Sequence, residues 1–95
     1  MEKRVVITGM GAITPIGKTV EQTWQSIQEK KCGVEEIKLF DTTNFKTKFG
    51  AEIKDYDPLV FFEEKEAKRF DRVSQFAIIS AREALQDSGI TKENT

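Results

Sequence analysis

The 95-residue chain contains no histidine. Chemistry that needs an imidazole as base, acid or metal ligand therefore has no residue to work with here. Its one cysteine, Cys32, permits no internal disulfide and fits a reducing compartment. No apolar run is longer than a few residues, so no transmembrane helix is expected. The opening Met1-Glu2-Lys3-Arg4 runs straight into apolar residues, without the hydrophobic stretch of a signal peptide. Charge of one sign is lacking too: 15 basic and 16 acidic residues leave a net −1. No global field then draws the chain to nucleic acid or a membrane. At this length the chain is at most one small domain, able to bury about 60–65% of its unfolded surface.

Against those absences stands one dense stretch, Arg4–Gly17. Val5, Val6 and Ile7 are consecutive β-branched residues with no wet-dry alternation, which predicts a strand buried on both faces. Gly9, Gly11 and Gly17 follow with Pro15 among them, predicting a tight, preset loop. A buried strand leading through a glycine-rich turn to a helix is half of a βαβ unit.

The helix is expected over 19–31. Thr19 and Gln22 have capping-box spacing, Val20, Trp24 and Ile27 form an apolar face, and Gly33 is the expected stop. Phe49, Ala51 and Ile53 alternate with polar residues or glycine, giving a short strand over 48–54. Asp57-Pro58 has the form of a helix start, with short helices expected around 58–62 and 64–69. Asp71 can cap a final helix whose stripe is Val73, Phe76, Ala77, Ser80, Ala81, Ala84 and Leu85, ending at Gly89. The middle of that stripe is small, so another element is expected to approach closely there. Val20, Trp24, Ile27, Phe76 and Ala77 are expected in the core. Phe61 and Phe62, being adjacent, cannot share one helical face. A strand buried on both faces needs neighbours on both edges, and this inventory supplies none parallel to it. The expected fold is incomplete.

Three groups invite a functional reading. Cys32 is expected at a helix C-terminus, where the dipole disfavours a thiolate, and it has no general base near it in sequence; it is not taken as a nucleophile. Gly9-Met10-Gly11 follows a predicted strand, as a dinucleotide-binding turn would. However, Thr14-Pro15 stands where a third glycine and a helix start are wanted, and Glu29, at the spacing of a ribose-binding acid, falls on a charged helical face. Lys65, Lys68, Arg69 and Arg72 recur at three and four residues and form one basic edge if the helix continues that far. Glu64 and Lys68 can pair across it, and Asp71 can restart the helix and turn Arg72 elsewhere. Such an edge is either a solvated, self-paired surface or a dock for an acidic partner.

Arg4–Gly17, followed by Thr19-Val20-Glu21 and Trp24, resembles the amino terminus of the β-ketoacyl-acyl carrier protein synthases, the type II condensing enzymes of bacterial fatty-acid synthesis. Gly33-Val34, Phe40-Asp41-Thr42, Phe49-Gly50-Ala51, Lys54-Asp55, Lys65-Glu66, Asp71-Arg72 and Ala84-Leu85-Gln86-Asp87-Ser88-Gly89 extend the resemblance over all 95 residues. It implies an α/β fold, with the chain as the N-terminal part, about a quarter, of a thiolase-like layered αβαβα protein. It also implies a homodimer in full-length members, a cytoplasmic setting, and no cofactor, nucleic-acid or membrane partner. The implied reaction is the decarboxylating condensation of an acyl thioester with malonyl-acyl carrier protein. The family's catalytic cysteine and two histidines fall outside the matched residues, so the 95 residues alone are expected to be inactive. Residues matching Lys65, Lys68 and Arg69 help such synthases dock acyl carrier protein. The rival expectations are a truncated Rossmann-like nucleotide-binding domain taking NAD(P), and a non-catalytic carrier-docking fragment.

Overall fold

The computed structural model describes residues 2–94; Met1 and Thr95 lie outside them. Three α-helices, α1 (Val20–Gln28), α2 (Glu64–Arg69) and α3 (Arg72–Ser88), accompany a 3₁₀ turn at Pro58–Val60 and two short strands, β1 (Val34–Glu36) and β2 (Phe49–Ala51). The strands pair antiparallel, with Val34 opposite Ala51 and Glu36 opposite Phe49. Ile37 N–H extends the ladder to the Lys48 carbonyl at 2.8 Å. The strand expected over 48–54 is thus present but shorter, and its partner β1 was not foreseen.

The expected buried strand at Val5–Ile7 is not formed. Among the described residues no segment pairs with it, and Val5, Val6 and Ile7 are 94%, 67% and 84% exposed. A strand exists through its neighbour's ladder, and β-branching alone does not supply one. The total accessible surface, 8146 Å², compares with about 5,500 Å² for a folded chain of this mass. The radius of gyration, 17.0 Å, compares with about 12 Å.

Helix α1 starts as expected. Thr19 accepts from the Gln22 amide at 3.1 Å, but the Gln22 side chain returns to the Lys18 amide, one residue before the cap. Its end differs. Lys30, not Gly33, turns the chain, at φ 59°, with its amide on the Ile27 carbonyl and the Lys31 amide on that of Ser26. This is a Schellman closure built on lysine. The face of α1 that packs is also the other one. Ser26 is buried and donates to the Ile16 carbonyl at 2.6 Å, while Thr23 bonds Thr14 at 3.0 Å. The hydroxyl face of Thr19, Thr23 and Ser26 therefore lies on the glycine-rich segment. Trp24 and Ile27, expected in the core, are more than half exposed.

Helix α3 has the caps its sequence promises. Asp71 accepts from the Ser74 amide at 2.8 Å, and Gly89 closes the helix at φ 71°. Its buried residues are Gln75 and Ile79; Phe76, Ser80 and Ala84 are half-buried. Val73, Ala77, Ala81 and Leu85, expected to be covered, are exposed. The expected close approach is present along Ser80 and Ala84. A Cβ on Gly11 would lie 1.8 Å from the Ser80 carbonyl oxygen, and one on Gly9 would lie 2.3 Å from that of Ala84. The loop needs glycine because it rests directly on the backbone of α3.

Carboxylates of α3 fix this contact. Glu83 accepts the Ala12 amide through one oxygen at 2.8 Å and the Val20 amide through the other at 3.0 Å; Asp87 accepts the Met10 amide at 3.0 Å. One side chain thereby ties the loop, the first residue of α1 and α3 together.

Candidate functional site

A six-residue helix is too short to hold itself together in water, so α2 depends on what backs it. Glu64 and Glu66 occupy its first turn and Lys68 and Arg69 its last, the order the helix dipole favours. Phe62, 5% exposed, sits just before it and faces the Phe70 ring beyond its end at 6.3 Å between centroids. Of the adjacent phenylalanines, Phe62 is the core residue, while half-buried Phe61 stacks on Tyr56 at 6.0 Å.

Helix α3 grips both ends of this segment. The Gln75 amide nitrogen donates to the Ala67 and Phe70 carbonyls at 3.0 and 2.8 Å, and its oxygen accepts from the Tyr56 hydroxyl. Two turns on, Arg82 donates to the Phe61 carbonyl at 3.0 Å and lies 5.0 Å from the Phe62 ring centre. Burial pushes the Tyr56 hydroxyl above its usual range, against the pull of nearby Arg72.

Lys65, Lys68 and Arg69 are all exposed on α2. Lys68 pairs with Glu64 at 3.2 Å, as expected from their spacing. Both side chains are about three-quarters exposed, so the pair is weak and breaks easily for a stronger partner. Among the described residues no ion pair engages Lys65 or Arg69; the Arg69 guanidinium stands 5.7 Å from the Phe70 ring.

Arg72 does not extend this edge. The helix stops at Arg69, Phe70 takes an extended conformation, and Asp71 caps α3. Arg72 turns back to the Ile53 carbonyl at 3.0 Å and packs 5.4 and 5.1 Å from the Tyr56 and Phe76 ring centres.

Cys32 is exposed and lies beyond Glu29, the C-cap of α1, rather than at its last turn. Glu29 itself is not mid-helix; a hydrogen bond from Lys31 holds its carboxyl below the usual range. The Met10, Ala12 and Val20 amides, which a pyrophosphate would need, already bind Asp87 and Glu83. Two carboxylates in that position repel a phosphate, so the nucleotide reading is not favoured. Sequence reasoning missed Glu83, Asp87, Gln75 and Arg82. The two carboxylates stand four residues apart on α3, one turn from each other beside the small stripe, which was the available signal.

A family model described as β-ketoacyl synthase, N-terminal domain, matches residues 2–95. The chain belongs to this family. It is 45% identical over 87 residues to 3-oxoacyl-[acyl-carrier-protein] synthase 2 of Synechocystis, an alignment covering 92% of this chain and 21% of that protein. The same-named protein of Vibrio harveyi is 42% identical over 95 residues, covering 98% and 23% respectively. This chain also superposes on a solved ketosynthase, a chain of the ishigamide ketosynthase/chain length factor, with a TM-score of 0.84 and 31% identity. That match covers 99% of this chain and 23% of the other. Its elements are those of the thiolase-like α/β fold of ketosynthases. The chain spans between a fifth and a quarter of the length of these relatives. Among the described residues no helix is long and apolar enough to cross a membrane, and no three His, Cys, Asp or Glu side chains gather where they could hold a metal ion.

Proposed function

We propose that this chain is the N-terminal, carrier-docking part of a fatty-acid condensing enzyme. The reaction is the decarboxylating condensation of an acyl thioester with malonyl-acyl carrier protein, in the cytoplasm and as a homodimer. The 95 residues dock the carrier and do not themselves catalyse, since they hold no histidine and Cys32 is an exposed free thiol beyond the end of α1. The observation that carries the docking role is the exposed trio Lys65, Lys68 and Arg69 on one short helix of a nearly neutral chain. A local basic surface of this kind steers an acidic helical partner and fixes its approach. The names of relatives, which include the acyl carrier protein, support reading that partner as the carrier.

The test is carrier affinity in the full native chain with Lys65, Lys68 and Arg69 all reversed to glutamate. Binding should fall at least tenfold, and the wild-type affinity should weaken steeply between 50 and 300 mM salt, on the order of the screening expected for exposed charges. Unchanged affinity in the reversed variant would remove α2 from the docking surface.

A further inference from the structure

We infer that Gln75 is a positioning residue for the docking helix, acting through its two amide hydrogens rather than by touching the partner. The inference rests on the docking role of α2. Gln75 is 4% exposed, too deep in the fold to meet a docking protein. Its nitrogen bridges two carbonyls that end α2: Ala67, inside the helix between Lys65 and Lys68, and Phe70, its C-cap. These carbonyls belong to the last turn, whose oxygens have no partner within the helix. Both amide hydrogens are used, and the oxygen is held by Tyr56, so the amide has one orientation and no spare donor.

The consequence is geometric. With six residues α2 has little cooperativity of its own, and its backbone direction is set by whatever holds its ends. Arg82 holds the entry at Phe61 and Gln75 holds the exit. Lys68 and Arg69 follow immediately on Ala67, so the direction of their Cα–Cβ bonds is fixed by the carbonyl that Gln75 grips. A long, exposed cation gains in docking when its stem is aimed in advance, because less freedom is lost on binding.

The experiment measures carrier affinity in the full native chain bearing Gln75→Met, which keeps length and volume but removes both donors. Tyr56→Phe is the companion, removing a contact to Gln75 while leaving its donors. Gln75→Met should weaken binding about fivefold, the size of coupling between neighbouring residues. Tyr56→Phe should change it less than twofold. The loss from Gln75→Met should at least halve in a Lys68→Ala background, where one aimed cation is gone. Gln75→Asn, too short to span both carbonyls, should reproduce the loss and decides the matter if the methionine variant does not fold. Unchanged affinity in Gln75→Asn, or a Gln75→Met loss of equal size with and without Lys68, overturns the inference. If the three-cation reversal leaves affinity unchanged, it is the docking role that fails instead.

Discussion

Replacing Gly11 with alanine tests the contact on which the arrangement of the N-terminal loop depends. The new Cβ would stand 1.8 Å from the Ser80 carbonyl oxygen and 2.9 Å from the Ala84 nitrogen. Both are backbone atoms inside α3, so no side chain can swing aside. The loop must withdraw by about 1.5 Å to reach ordinary contact. A retreat of that size breaks the Met10–Asp87 and Ala12–Glu83 hydrogen bonds, now 3.0 and 2.8 Å long. Hydrogen bonds to charged acceptors are worth about 1.5–3 kcal/mol each at most, and partial exposure reduces that, so a total cost of about 3 kcal/mol is expected. Gly89→Ala is the internal control: at φ 71° with open space around it, it carries only the left-handed backbone penalty of about 1 kcal/mol. Urea unfolding of the full native chain, read at constant slope, measures both. If Gly11→Ala costs no more than Gly89→Ala, the close approach of loop and helix is not what holds this part of the fold.

Two further outcomes follow from the same geometry. Glu83→Gln offers one acceptor and one donor where two amides now point, so it should destabilise by about 1–2 kcal/mol and free either the Ala12 or the Val20 amide to exchange; protection of both amides would refute the bridging role. The Ser74 amide, followed by its hydroxyl, holds the Asp71 carboxyl below the usual carboxylate range, and the Thr43 hydroxyl, followed by its amide, lowers Asp41 likewise. With the folded value depressed, their stabilisation is complete above the unfolded value of about 4 and is lost as pH falls through the folded values. Amide protection in the first turn of α3, taken relative to the unfolded chain's own exchange at each pH, should therefore be flat from pH 7 to 5 and fall below about 4, and Asp71→Asn should remove that fall; a fall centred above pH 5 would contradict the assignment.

What the residues revealed beforehand was the chemistry that acts over a few positions. Thr19, Asp57, Asp71 and Gly89 each cap or close an element where they were expected to, because their partners lie within three residues. The cations at 65, 68 and 69 and the Glu64–Lys68 pair were legible for the same reason. Failures came where the partner is distant. Val5–Ile7 has strand composition, but pairing is a property of two segments. The apolar side of α1 looked like its packing face, yet the glycine-rich segment offered carbonyls and a threonine hydroxyl, so Thr23 and Ser26 turned inward. Gln75 and Glu83 were unremarkable polar letters whose partners lie 5–19 and 63–71 residues away. The small stripe of α3 is the one long-range feature that spacing did disclose, because a close approach leaves its mark as missing volume on both sides.

Among the described residues nothing pairs with the backbone of Val5, Val6 and Ile7 or covers their side chains, which makes this segment a template for unwanted addition. Three β-branched apolar residues with open amides are what an aggregating strand seeks. Glu2, Lys3 and Arg4 stand directly before them, all exposed. In that place charges act as gatekeepers, since stacking copies in register would bring like charges together. Neutralising Lys3 and Arg4 should leave docking untouched and instead shorten the time the protein stays in solution at high concentration.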